Sequence, residues 1–140
     1  MKLKQLLFIF LLIIGIQKSY GQTYKFLTTG FSVSEKSVKG VWGDWSSIEK
    51  ASIIITLDEK KNRVVVYSQE VQLYSILEYK EKVENDNEIV YTYICSDNNG
   101  KPYTLSIFIR KNQDNRKQLY IYEKSRVIMY NIINYNDDKK

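Results

Sequence analysis

The amino-acid sequence predicts an all-β fold: a single antiparallel meander of about eight strands, closed as a small barrel or folded into a two-layer sandwich. Apolar residues recur with a period of two and seldom with the period of a helix. Val, Ile, Tyr and Thr dominate the apolar stretches, and these residues favour a pleated, half-buried surface. The stretches are joined by short polar links, so consecutive strands are expected to pair. Residues 22–135 are predicted to form one domain.

The predicted strands follow one another with few long connections. Residues 39–45, which hold both Trp residues, are expected to form a loop or bend after the first strand. The segment Asp97-Asn98-Asn99-Gly100 is the strongest turn signal, because Asn-Gly tolerates the positive φ angles of tight hairpins. Strands are predicted at residues 24–35, 51–57, 63–67, 71–79, 89–95, 103–109, 118–123 and 127–133.

The clearest alternation lies in residues 103–109. It predicts that Leu105 and Ile107 lie in the core and that Thr104 and Ser106 do not. Residues 71–79 also alternate, with Val71, Leu73, Ser75, Leu77 and Tyr79 on one face and Gln72, Tyr74, Ile76 and Glu78 on the other.

The N-terminus has the order of a secretory signal peptide, which is predicted at residues 1–21. Lys2 and Lys4 precede an uncharged apolar run, and the small residues Ser19 and Gly21 follow it. The run is too short to span a bilayer core of about 30 Å. Cleavage after Gly21 therefore predicts an exported protein, periplasmic or secreted, with no stable membrane span. Residues 136–140 are predicted to be a disordered tail.

Composition excludes several classes of function. The signal segment takes three of the 21 basic residues and none of the 16 acidic ones, so the net charge falls from +5 to +2. The remaining basic residues are interleaved with acids, which argues against nucleic-acid binding. The sequence contains no His, which excludes Ser-His-Asp and Cys-His catalysis and His-ligated zinc. Cys95, the only Cys, is predicted to be a buried apolar residue; the alternative is a reactive thiol or an intermolecular link. The lack of a Cys framework fits a bacterial exported protein.

Two Gly-x-Trp triplets, Gly40-Val41-Trp42 and Gly43-Asp44-Trp45, resemble the triplet that lipocalins and their calycin relatives carry near the first barrel strand. In that family the Trp plugs the closed end of the barrel and an Arg on a late strand packs across it. The resemblance implies that Trp42 or Trp45, with Arg126, forms a barrel plug or contacts a ligand. It also implies an internal pocket for a small apolar ligand. Alternatively, the two Trp side chains anchor a loop on the core.

Other candidate residues have a structural explanation beside the functional one. The abundant Tyr residues suit interfaces and sugar stacking, but cross-strand pairing explains them as well. Asp44 and Glu49 form a carboxylate pair beside the Trp residues, which would suit a glycosidase. Asp97 and Asn99 have part of a calcium-loop pattern, although a hairpin turn explains them better.

These observations predict a non-enzymatic exported binding protein with a lipocalin-like apolar pocket and without a cofactor or metal. The alternative is a protein-interaction module, such as an inhibitor or an envelope partner, that uses an aromatic sheet face or a strand edge. The direction of the aromatic side chains discriminates between the two hypotheses. A pocket needs them around a cavity, whereas an interaction surface needs them in an exposed patch.

Overall fold

A computed structural model describes residues 21–135, which form one antiparallel sheet with a short 3-10 turn at Lys111–Gln113. Residues 1–20, which hold most of the predicted signal peptide, and the predicted tail at 136–140 lie outside the described residues. The strands are β1 (Thr23–Glu35), β2 (Glu49–Lys50), β3 (Ile54–Asp58), β4 (Arg63–Val66), β5 (Gln72–Tyr79), β6 (Val83–Glu84), β7 (Glu88–Ser96), β8 (Pro102–Arg110), β9 (Arg116–Tyr122) and β10 (Arg126–Asn134).

Eight of these strands close into a barrel, which confirms the all-β prediction and decides between barrel and sandwich. The order around the barrel is β10-β9-β8-β7-β5-β4-β3-β1, and antiparallel pairing of β1 with β10 closes it. The two-residue strands β2 and β6 are additions that pair with β1 and β7. Within residues 21–135 the chain has no helix of the length and apolar character needed to cross a membrane.

Alternate residues of each strand point into the barrel and pack as one core. The predicted core residues Leu105 and Ile107 are 0% and 7% exposed, and Thr104 on the other face is half-buried. Ser106 differs from the prediction, because it is buried although it faces outward. It lies opposite Tyr120 of β9, and its hydroxyl is 3.2 Å from that of Thr92. The core residues are Phe26, Ile55, Leu57, Val64, Val66, Tyr74, Ile76, Tyr93, Cys95, Leu105, Ile107, Leu119, Ile121, Tyr130 and Ile132.

A bulge in β1 changes which of its residues face the core. The register against β10 shifts between Thr28 and Gly30. Thr28 is buried before the bulge, whereas Phe31 packs against the core after it. The shift turns Ser32 and Ser34 to the outer surface, because one extra residue reverses the alternation.

Residues 36–48, which we call the outer segment, are tied to this outward face of β1. Ser32 Oγ donates to Ser46 O at 2.6 Å, and Ser34 Oγ donates to Gly43 O at 2.9 Å. Both serines are buried as a result. The outer segment therefore lies against the outside of the barrel and contributes nothing to its interior wall.

The connection between the strands predicted at residues 103–109 and 118–123 is shorter than expected. Asp114 and Asn115 adopt positive φ angles of 55° and 57°, which complete the turn early, so β9 begins at Arg116. Lys117 is therefore a strand residue, and it lies on the same face of β9 as the inward-facing Leu119 and Ile121.

Candidate functional site

One end of the barrel holds a pocket of about 290 Å³, which we call the end pocket. It lies where β1 begins and where β3 and β8 end. Its apolar wall is formed by the core residues Phe26, Leu57 and Ile107 together with Ile109 of β8. These side chains line the pocket because they occupy inward-facing positions near the ends of their strands.

Three tyrosines, Tyr24, Tyr91 and Tyr93, complete the wall of the end pocket. Tyr93 is 7% exposed and packs edge-on against Tyr79, with ring centroids 5.7 Å apart. Burial raises the pKa of the Tyr93 phenol above its ordinary value, and the nearby Glu59 carboxylate raises it further. Tyr93 therefore remains a neutral phenol that can donate a hydrogen bond at physiological pH.

Polar groups lie at the rim of the end pocket on separate walls. Glu59 follows β3, accepts a hydrogen bond at Oε1 from the Gln22 backbone N at 3.3 Å, and donates its own N–H to Gln22 O at 2.9 Å. Lys117 enters from β9, where it pairs in register with Ile109 and Ile132. No ion pair joins Glu59 and Lys117 in the described part of the chain.

The composition of the end pocket suits binding of a small molecule. Ligand sites are typically concave and mostly apolar, with a few polar groups that fix orientation. At about 30 Å³ per water-sized atom, the volume of about 290 Å³ has room for about ten non-hydrogen atoms. Residues 21–135 contain no group of three or more Cys, Asp or Glu side chains that could hold a metal ion.

The residues predicted to form a barrel plug lie on the outer surface. Trp42 and Trp45 belong to the outer segment and are 43% and 48% exposed. Arg126 Nη2 donates to Glu123 Oε1 at 2.9 Å, and within the described residues it forms no cation–π pair with either indole ring. The Gly-x-Trp triplets follow the first barrel strand, and the serines of β1 hold them outside. Both Trp residues are thus exposed and Arg126 pairs with Glu123, and a barrel plug or a ligand contact formed by these three residues stays a prediction.

Trp45 belongs instead to an aromatic cluster on the outside of the barrel, which we call the outer patch. Its ring packs edge-on against Tyr120 at 6.0 Å, and Tyr120 stacks on Tyr122 at 6.0 Å with an interplanar angle of 14°. Phe108 contacts Tyr120 at 5.0 Å, and the Arg110 guanidinium lies 4.6 Å from the Phe108 centroid. The abundance of Tyr on both strand faces was visible in the sequence, but the contact between Trp45 and β9 was not.

Cys95 is a core residue, as predicted. Its side chain is fully buried, and burial raises the pKa of its thiol to about 12. A thiol in this state holds its proton at physiological pH and is a poor nucleophile.

The remaining acidic candidates lie away from the end pocket. Asp44 and Glu49 are both exposed, in the outer segment and in β2. Asp97 Oδ1 accepts the backbone N–H groups of Asn99 and Lys101 at 2.9 Å each, as in a hairpin turn. The rim residues Glu59 and Lys117 were not singled out from the sequence, because nothing local to either one indicates that they meet.

The closed eight-stranded barrel is compatible with the predicted calycin-like architecture. Comparison with family models, curated proteins and solved structures gives no match. Function is therefore inferred from the geometry of the two surfaces described above.

Proposed function

We propose that this protein is an exported, non-enzymatic binding protein that holds one small apolar ligand in the end pocket. The carrying observation is the pocket of about 290 Å³ whose wall is aliphatic and aromatic while charged groups lie at its rim. An apolar ligand gains free energy by leaving water for such a wall, at about 25 cal/mol for each Å² buried. The ordered strands that form the wall keep the site preformed.

Two observations support export and binding over catalysis. All barrel strands lie within residues 23–134, so cleavage after Gly21 would remove none of them. The sequence has no His, and the thiol of Cys95 is buried within the core. These features leave few groups suited to general acid–base or nucleophilic chemistry near neutral pH.

The test is to block the end pocket with a bulky side chain. Ile109→Trp places an indole at the pocket wall, whereas Ile133→Trp adds the same group at a position that is 51% exposed. We expect Ile109→Trp to weaken binding of small apolar ligands at least tenfold and Ile133→Trp to leave it unchanged. Native mass spectrometry of the protein from its own host identifies the bound molecule, and calorimetry measures the affinity. Equal binding by both variants, each shown to be folded by circular dichroism, would contradict the proposal.

The outer patch favours a second candidate function, a protein-interaction surface. Trp45 is about half exposed beside the rings of Phe108, Tyr120 and Tyr122, and aromatic side chains are enriched at interfaces. Closure of the barrel pairs each of its eight strands on both sides, so no barrel strand offers a free edge to a partner. The aromatic outer patch is therefore better suited to partner binding than a strand edge. A Trp45→Ala, Tyr122→Ala variant that loses a co-purifying partner while keeping pocket binding would favour this function.

A further inference from the structure

We propose that the ligand of the end pocket is a small aromatic carboxylic acid, held by Lys117 and by the pocket tyrosines. This inference rests on the proposed function, because it names the class of molecule that the same pocket binds. It follows from the charge, the hydrogen-bond donors and the shape of the pocket.

Lys117 supplies the charge. Among the lysines of residues 21–135, only Lys111 and Lys117 are half-buried. Lys111 Nζ is compensated by Glu84 Oε2 at 2.5 Å and by Asn85 O at 3.0 Å. Lys117 has no carboxylate or hydrogen-bond partner within the described residues, although it lies beside Ile109 and Ile132. An ammonium group beside an apolar pocket attracts an anion and forms charge-assisted hydrogen bonds with it, so the pocket favours a ligand that supplies one.

The tyrosines supply hydrogen-bond donors. Tyr24, Tyr91 and Tyr93 line the pocket, and within residues 21–135 none of their hydroxyl groups donates to a protein acceptor. Other tyrosines of the barrel are paired, such as Tyr74 with Gln72 Oε1 at 2.5 Å and Tyr79 with Asn62 Oδ1 at 2.8 Å. A carboxylate accepts from both ammonium and phenol donors, and such charge-assisted hydrogen bonds are the strong ones.

Glu59 could attract a cationic ligand, but more weakly than Lys117 attracts an anionic one. Its carboxylate already accepts a hydrogen bond from the Gln22 backbone N. If the signal peptide is cleaved after Gly21, that nitrogen becomes the α-ammonium group of the mature chain. Glu59 would then be compensated by the protein itself, whereas Lys117 would remain without a counter-ion.

The shape of the pocket favours an aromatic body on the acid. Four aromatic residues, Tyr24, Phe26, Tyr91 and Tyr93, are among those that line the space of about 290 Å³. Aromatic rings prefer edge-to-face or offset contacts with other rings, and a wall of several rings offers both. Room for about ten non-hydrogen atoms fits one ring with a short acidic side chain.

The experiment compares three probes with one skeleton: 3-phenylpropionate, 3-phenylpropan-1-ol and 3-phenylpropylamine. Calorimetry with the exported protein should show the acid binding at least about tenfold more tightly than the alcohol, because only the acid meets Lys117 with a charge. Lys117→Gln should remove this difference by weakening binding of the acid much more than binding of the alcohol. The control Lys124→Gln, at an exposed position in the connection to β10, should behave as the parent protein.

The outcomes separate this inference from the proposed function. Equal binding of acid and alcohol, unaffected by Lys117→Gln but lost in Ile109→Trp, would overturn the acid preference and leave the pocket intact. Tighter binding of the amine, lost in Glu59→Gln, would assign the opposite charge class and also overturn it. Absence of binding by all three probes, with no small molecule in the protein from its host, would overturn both proposals.

Discussion

The end pocket and the outer patch contain the same kinds of side chain, yet the barrel gives them different environments. Tyr93 points inward, is 7% exposed and has a hydroxyl group with no protein acceptor among residues 21–135. Tyr120 points outward, packs against Trp45, Phe108 and Tyr122, and donates to Gln118 Oε1 at 3.4 Å. The difference shows that the face of the strand on which a residue lies, more than the residue type, decides which aromatic side chains are available to a small ligand.

The largest expected contrast between inside and outside is in thiol reactivity. Cys95 is fully buried, so a thiol reagent should label it only when the barrel opens. A Cys95→Ala, Ser125→Cys variant carries its thiol at an exposed position of the β9–β10 connection. We expect labelling of native Cys95 to be slower by a factor of about 1,000 or more, given a typical domain stability of about 5 kcal/mol or higher. Comparable rates in the two proteins would show that the interior near Cys95 is open to solvent.

The next contrast concerns packing on the two faces of β8. Leu105→Ala removes a fully buried side chain and should lower the free energy of unfolding by about 2–5 kcal/mol. Thr104→Ala, on the opposite face, should lower it by under about 1 kcal/mol. Urea unfolding of both variants measures the difference, and equal losses would contradict the assigned strand register.

The buried thiol of Cys95 should make the free energy of unfolding depend on pH. Burial raises the pKa of Cys95 from 9.0 to about 12, so the unfolded chain loses this proton at lower pH than the folded one. The stabilising contribution is complete below about pH 9 and decreases as pH rises toward about 12, at up to about 1.4 kcal/mol for each pH unit. Burial raises the pKa of Tyr74 and Tyr93 as well, which adds a loss in the same direction above about pH 10.

The Cys95→Ala variant isolates the thiol contribution. Between about pH 9 and pH 10, its unfolding free energy should decline less steeply than that of the parent protein. Because the slopes are compared, the cost of the smaller side chain itself does not affect the result. Identical slopes in urea titrations across this interval would show that Cys95 is not responsible.

The smallest expected effect belongs to the outer patch. The edge contact between Trp45 and Tyr120 should give a coupling energy of about 0.5–1.5 kcal/mol in a double-mutant cycle to Ala. Trp42, whose ring instead lies 5.4 Å from Lys36 Nζ, should give a coupling to Tyr120 near zero. A larger coupling for Trp42 than for Trp45 would mean that the outer segment lies differently on the barrel.

The sequence by itself determined the features that depend on near neighbours along the chain. The alternation in residues 103–109 identified the buried face of β8, because successive strand residues point to opposite sides. Asp97-Asn98-Asn99-Gly100 identified the β7–β8 turn, where Gly100 has a φ of 80°. The burial of Cys95 followed from its alternation with Tyr91 and Tyr93.

Only the tertiary structure decided the features that join distant parts of the chain. Pairing of β1 with β10 closes the barrel, and the bulge between Thr28 and Gly30 turns Ser32 outward, where it holds the outer segment. The same closure brings Glu59 and Lys117 to one rim from strands at different places in the sheet. Local alternation carries no information on any of these, because strand pairing and closure depend on contacts whose partners are far apart in sequence.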